Sequence, residues 1–235
     1  MEFFDGLPQS ATVTTLFDNL DLIRGVEAFL TCIPGASLVA MRSGFRSLGV
    51  DGSQKILVFD KLRDSAPIYL TGNTETIYGT AFLDLSDGPM VIESPPNCLN
   101  FVDDFWMRFV SDMGNAGRDK GQGGKYLFLP PGYDGDVPDG YFVSASRTLT
   151  NWVVFRALDG YEALTTVRIY PLDTADDPPP NEFISGSGVA HNSVHANNYT
   201  FFEGIDQFVH EEPLEALEPE LRGLLASMAS RRVCL

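Results

Sequence analysis

Between Lys55 and Tyr170 the chain is cut into short apolar runs by Gly, Pro, Asn and Asp. Lys55 to Phe59, Pro67 to Leu70, Thr76 to Leu85 and Met90 to Glu93 are the first of these, with breaks at Gly72-Asn73, Asp87-Gly88-Pro89 and Pro95-Pro96-Asn97. Asn100 to Val110, Tyr126 to Leu129, Tyr141 to Ser144 and Asn151 to Ala157 continue the pattern, and Pro130-Pro131-Gly132 and Pro138-Asp139-Gly140 bracket a short loop. Each break carries turn chemistry, because Gly supplies positive φ and Pro and Asn favour reversal of the chain. Many short strands at such spacing argue against a parallel sheet with alternating helices. Seventeen Phe and eight Tyr suit the same reading, since flat rings pack well on a pleated surface. The expectation is an α+β fold with helices at both ends and a mostly antiparallel β core, either a β-sandwich (jelly-roll-like) or a barrel.

The flanks have helical grammar. From Ser10 to Leu30, Val13, Leu16, Phe17, Leu20, Ile23 and Phe29 fall near a 3.6-residue period, with Ser10 and Thr12 as available N-caps. Pro34-Gly35 is expected to stop this helix, and a second should run from Ala36 to Leu48 and end at Gly49. Asp173 to Asn181, with its Asp-Asp-Pro-Pro-Pro run, reads as a linker, because proline favours an extended spacer. A strand at Glu182 to Ser185 and helices over about Tyr199 to Glu211 and Leu214 to Ser227 should follow. This divides the chain into a helical region, 1–52, a sandwich core, 53–172, and a C-terminal segment, 173–235.

Charge narrows the partners. The formal net charge is -16, from 16 basic and 32 acidic residues. Such a field repels polyphosphates and anionic lipid, whose binding rests on Lys and Arg neutralising phosphates, so no nucleic acid is expected as a partner. No uninterrupted apolar run approaches the roughly 18 residues of a span, so no membrane-crossing segment is expected. Cys32, Cys98 and Cys234 are odd in number and far apart, which suggests neither a zinc ribbon nor a disulfide framework. The opening residues, MEFFDGLPQS, lack the basic and apolar regions of a signal peptide, which taken literally places the protein in the cytoplasm.

Several segments could carry chemistry. His191 and His195 stand four apart, but Gly186, Gly188 and Asn197-Asn198 argue against the helix that would align them on a metal. His195 is expected to be largely buried, held by hydrogen bonds near Asn197 and the strand ends, with no metal. Asp112 to Lys125 is rich in glycine and superficially like an anion-cradling loop, yet Lys125 is followed by Tyr126, so it is not a P-loop. A flexible or ligand-covering loop is the remaining functional reading. Asn73, Thr74, Glu75 and Thr76 stand at the mouth of a strand, where they could face a ligand or satisfy a turn locally.

Taken together, Gly72-Asn-Thr-Glu-Thr-Ile-Tyr78, Leu83-Asp-Leu-Ser-Asp-Gly-Pro-Met-Val91, Phe105-Trp106, Gly114-Asn-Ala-Gly117, Gly121-Gln-Gly-Gly-Lys-Tyr-Leu127 and Leu129-Pro-Pro-Gly-Tyr133 resemble the bacterial domain of unknown function numbered 1254. Gly135-Asp-Val-Pro-Asp-Gly-Tyr-Phe-Val143 and Ile169-Tyr-Pro-Leu172 add to the likeness. The resemblance implies a β-sandwich module embraced by helices, commonly exported and commonly followed by a second domain, numbered 1214. Against that pattern the chain reads as a shortened member without a leader, and the leucines at 214, 217, 221, 224 and 225 are expected to form an exposed stripe. The resemblance also implies Phe where His191 stands, so the two histidines need not act together. No reaction is attached to the family, so no catalytic residue is implied and any cofactor stays unknown.

The leading expectation is an envelope-type binding module for a small-molecule or protein ligand, with self-association left open. Its candidate pocket is lined by Asn73, Thr74, Thr76, Tyr78, Asp112, Asn115 and Lys125, with His195 and Asn197 as further ligand-binding candidates. The rival is a hydrolytic or metal-assisted enzyme using His195 with Asp112 or Asp84. Such an enzyme requires His195 within reach of a carboxylate or metal in a concave site.

Overall fold

A computed structural model describes residues 1–69, 72 and 74–228. The elements in chain order are β1 (Phe3–Phe4), β2 (Leu7–Pro8), α1 (Ser10–Arg46), β3 (Lys55–Phe59), β4 (Pro67–Ile68), β5 (Ile77–Asp84), β6 (Met90–Ser94) and β7 (Leu99–Asp104). They continue with β8 (Phe109–Gly114), β9 (Gly124–Leu129), β10 (Phe142–Ala145), β11 (Thr150–Ala157), α2 (Tyr161–Leu164), β12 (Arg168–Pro171), β13 (Glu182–Ser185), β14 (His191–Asn192), α3 (Thr200–Glu211) and α4 (Pro219–Met228). The chain divides into two compact units, one of Met1–Ile33 with the segment beginning at Leu217, the other Pro34–Ala216.

In the first unit, β1 and β2 form a small hairpin through Asp5 and Gly6, both at positive φ, as a tight two-residue turn requires. Thr12 locks the hairpin to the start of α1, donating to Glu2 O at 2.9 Å and accepting Glu2 N–H at 2.6 Å. Along residues 10–33, Phe17, Leu22, Ile23, Val26 and Leu30 are exposed. In the leucine stripe Leu217 is buried, Leu221, Leu224 and Leu225 are half-buried, and Leu214, in the other unit, is exposed.

Pro34 lies inside α1 and does not stop it. The proline forfeits one backbone hydrogen bond, but the turns beyond it are held by packing: Leu38, Met41 and Phe45 are buried, with the Phe45 ring 5.7 Å from Phe82. By length and composition α1 is long and apolar enough to cross a membrane, with a mean hydropathy of 1.4 over an 18-residue window, 33% of it buried. Arg24 and Glu27 interrupt its apolar residues, so it contains no unbroken apolar run of that length.

In the second unit a six-stranded sheet has the order β13-β3-β5-β11-β7-β8, a four-stranded sheet β10-β9-β6-β12, and β14 pairs with β4. Most strand pairs are antiparallel, as expected, but the sheets are mixed: β10 runs parallel to β9, β13 to β3 and β14 to β4. A parallel neighbour needs a crossover of about a dozen residues. Residues 130–141, read as a turn-bracketed loop, supply it for β10, and the whole stretch between β3 and β13 does so for the other edge. Both sheets contribute to one apolar cluster, Ile56, Val58, Leu83, Val102, Val153 and Phe155 from the larger and Ile92, Tyr126, Phe128 and Ile169 from the smaller. Residues 173–181 connect β12 to β13, and Asn181 donates to Ile169 O at 2.9 Å and Gln54 O at 3.2 Å.

Candidate functional site

Side chains alternate across a strand, so the core positions of the six-stranded sheet fix what its other face displays. With Ala81, Val102, Met113, Val153 and Phe155 in the core, the neighbours Tyr78, Thr80, Phe101, Asp103, Asp112, Trp152 and Arg156 point the other way. The register sets them in rows. Tyr78 lies opposite Arg156, Thr80 opposite Val154, then Phe101 and Asp112; Phe82 lies opposite Trp152 and then Asp103.

The rows are rigidly held. Trp152 Nε1–H donates to Thr80 Oγ1 at 2.9 Å, and Thr80 Oγ1–H donates to Val153 O at 2.8 Å. Phe101 meets Trp152 edge-on, with ring centroids 5.4 Å apart, and the Arg156 guanidinium lies 5.0 Å over the Tyr78 ring. Arg156 Nε and Thr76 Oγ1 are buried with no hydrogen-bond partner, a cost that an incoming polar group would relieve. Asp103 is half-buried. Burial, and then the charges of Asp104 and Asp112, push its carboxyl up to about 6. It can therefore donate or accept a proton or hydrogen bond near neutral pH. Asp104 itself is buried and satisfied, accepting Trp106 N–H at 2.8 Å and Arg108 Nε–H at 2.6 Å.

The expected pocket is only partly assembled. Tyr78 and Asp112 share this face, with Thr76 just beyond the end of β5. Thr74 is exposed in the preceding turn, and Asn73 lies outside the described residues. Asn115 is in a surface turn, its amide donating to Asn97 Oδ1 at 3.1 Å. Lys125 belongs to the other sheet, on the face away from the shared core, where it pairs with Glu93 at 3.2 Å.

His195 lies elsewhere, in a groove of about 400 Å³ between Ala36–Ser43 of α1, residues 192–196 and α3. It is half-buried, with its ring edge-on to Phe201 at 5.2 Å and its Nδ1–H donated to Ala196 O at 3.1 Å; Asn197 is exposed. The deeply buried histidine is instead His191, because β14 pairs with β4 under the aromatic ring of Tyr69. Asp112 lines a different groove, of about 350 Å³, with Phe109 and Arg118, and Asp84 lines another with Arg42 and Arg46. Neither carboxylate is hydrogen-bonded to His195. Among the described residues no group of three His, Cys, Asp or Glu is placed to hold a metal ion.

The glycine-rich loop does cradle an anion, and the anion is its own Asp119. Gly114 N–H and Gly123 N–H donate to the two oxygens of that buried carboxylate at 2.7 and 2.9 Å, and Tyr126 Oη–H donates at 2.5 Å. The amides that suggested a ligand loop are thus already bonded. Sequence reasoning missed Asp119, Phe101, Asp103, Trp152 and Arg156. The last four were legible as the alternate positions of two predicted strands, where aromatic and charged residues interrupt an apolar run.

This geometry defines an α+β protein with two mixed sheets and an aromatic, acid-flanked sheet face. Residues 55–171 match the family described as "Protein of unknown function (DUF1254)", and that part of the chain belongs to it. The fold is similar to the crystal structure of the VPA0106 protein from Vibrio parahaemolyticus, with a TM-score of 0.54 at 11% sequence identity over 85% of this chain. The chain spans half of that protein's length, 50%. No curated relative matches.

Proposed function

We propose that the protein is a binding module, that its two sheets face each other as a sandwich, and that it takes a small polar ligand on the face of the larger sheet turned away from the shared core, beside the part that Phe45 of α1 covers. The sandwich reading is supported by the cluster to which both sheets contribute. The binding reading is carried by one observation: Tyr78, Phe101 and Trp152 stand beside Asp103, Asp112 and Arg156 on a single face, with Asp103 raised toward neutrality. Apolar rings with a few convergent polar groups and a perturbed carboxyl are the ordinary composition of a ligand site. The aromatic ring faces suit the C–H groups of a hydroxylated or amine-bearing ligand, and the ionisable groups suit its polar atoms.

Tryptophan emission tests this. The chain has two tryptophans, and Trp106 is buried whereas Trp152 is half-exposed. Titration with monosaccharides, small carboxylic acids and small amines should give saturable quenching with one class. The response should vanish in Trp152→Phe and weaken at least about tenfold in Asp103→Asn, which corresponds to the loss of one charge-assisted hydrogen bond. Saturable binding that survives both substitutions would place the site elsewhere, and the groove at His195 would be the next to probe.

A further inference from the structure

Behind the paired strands β4 and β14, Phe59, Tyr69 and His191 form an aromatic box. His191 stacks on Phe59 with centroids 6.3 Å apart and meets Tyr69 edge-on at 6.0 Å. Three polar atoms in this region, Tyr69 Oη, His191 Nε2 and Ser193 Oγ, are buried without a hydrogen-bond partner. His191 and Ser193 are 7% and 4% exposed. Burial drives the Tyr69 phenol up to about 12, although Arg63 and Ser193 lie close enough to draw it back. Neither of them reaches it in hydrogen-bonding geometry. Three such atoms in one place are unusual, because each buried polar group without a partner is costly.

We infer that the box is an internal binding site for a hydroxyl-type oxygen, from water or from a small alcohol. The donor and acceptor pattern specifies it. Val189 O accepts the His191 Nδ1–H at 3.0 Å, which leaves Nε2 as a lone-pair acceptor, while Tyr69 and Ser193 each offer an O–H. The matching guest accepts twice and donates once, as a single sp³ oxygen carrying hydrogen does. The Arg63 guanidinium roofs the box, 3.7 Å from the Tyr69 ring and 4.3 Å from the Phe59 ring. Arg63 and Phe59 also line a groove of about 150 Å³ with Lys61 and Asp64, so the groove borders the box on its Arg63 side.

The test uses the sign of a stability change. Removing a hydroxyl that has no partner is neutral or stabilising, whereas removing one that holds a guest is destabilising. Tyr69→Phe and Ser193→Ala should each lower the Tm by about 2–4 °C, and the double variant by less than the sum, since one guest is lost once. If the guest is water, the deficit is present in plain buffer and the Ser193 amide shows magnetisation transfer from a long-lived water. If it is an alcohol, the deficit appears only when ethylene glycol is added, through stabilisation of the wild type. Variants as stable as the wild type or more so, in both media, would overturn the inference.

Discussion

Glu212 accepts the backbone N–H of Thr150 at 2.9 Å, and its other oxygen accepts that of Leu149 at 2.6 Å. The carboxylate thereby ties the chain just beyond α3 to the beginning of β11, in the middle of the larger sheet. Arg42 is close by and is itself paired with Glu211. Burial outweighs these favourable contacts and raises the Glu212 carboxyl to about 7, from 4.5. Because the folded state holds this proton more tightly than the unfolded chain, the group's contribution to stability declines as pH rises from about 4.5 to 7 and is flat above, a loss approaching about 3 kcal/mol. The expected outcome is that the Tm advantage of wild type over Glu212→Gln is larger at pH 5 than at pH 8. An advantage that grows with pH would mean that Arg42 and the amides outweigh burial.

Two glycines of α1 should respond in opposite directions. A Cβ built at Gly25 meets nothing within 4 Å, whereas one at Gly35 would lie 2.6 Å from Cζ of Phe208. Alanine in place of a helical glycine ordinarily gains about 0.5–1 kcal/mol. Gly25→Ala should therefore raise the Tm by a degree or more. Gly35→Ala should lower it, and Phe208→Leu should recover part of that loss in the Gly35→Ala background. Equal gains at both positions would show that α1 does not approach Phe208 so closely.

The contrast at Pro34-Gly35 also shows how much of the fold was legible. Read locally, the pair ends a helix; with Phe45 packed on Phe82 and Gly35 against Phe208, it becomes a close-contact point within one. Strands β3 and β13 match their expected bounds and β5, β6 and β11 lie within a residue or so of theirs, because period-2 runs between turn residues are local signals. The run from Asn100 to Val110 proved to be two strands, since the turn between them depends on Asp104 capping Trp106 and Arg108 and contains no glycine or proline. Parallel pairing at the sheet edges was not legible, because it joins segments far apart in the chain. Of the residues on the proposed face, Tyr78 and Asp112 were candidates from sequence alone, and their neighbours Arg156 and Phe101 come from cross-strand register that one strand alone does not reveal.

Asp119 should be among the least replaceable polar residues. Its carboxylate gathers Gly114, Gly123 and Tyr126 in the connection between β8 and β9, where Gly114, Lys120, Gly121 and Gly123 all sit at positive φ. A hydrogen bond to a charged group contributes about 1.5–3 kcal/mol, so Asp119→Ala should cost roughly 3 kcal/mol or more, and Asp119→Asn less. Denaturant titration of both variants measures this. Amide exchange should accelerate at Gly114 and Gly123 before it does in β11. A cost below about 1 kcal/mol for Asp119→Ala would mean that the loop satisfies its amides in another way.

Asp103 gives the most direct reading of the proposed site. Its carboxyl is raised to about 6, first by burial and then by Asp104 and Asp112. Carbon-13 NMR of the side-chain carboxyls should therefore show one aspartate titrating near pH 6, absent in Asp103→Asn. Removing one like charge in Asp112→Asn should move that midpoint down without restoring the ordinary value, since burial is the larger cause. Stability follows the same sign as at Glu212: this group favours the folded state less as pH rises from about 4 to 6. An amine-bearing ligand on the face should depress the midpoint, because a cation favours the ionised form. A neutral hydroxylated ligand that excludes water should raise it. If Asp103 titrates in the usual carboxylate range and no ligand class moves it, the sheet face is a solvated surface and not a recognition site.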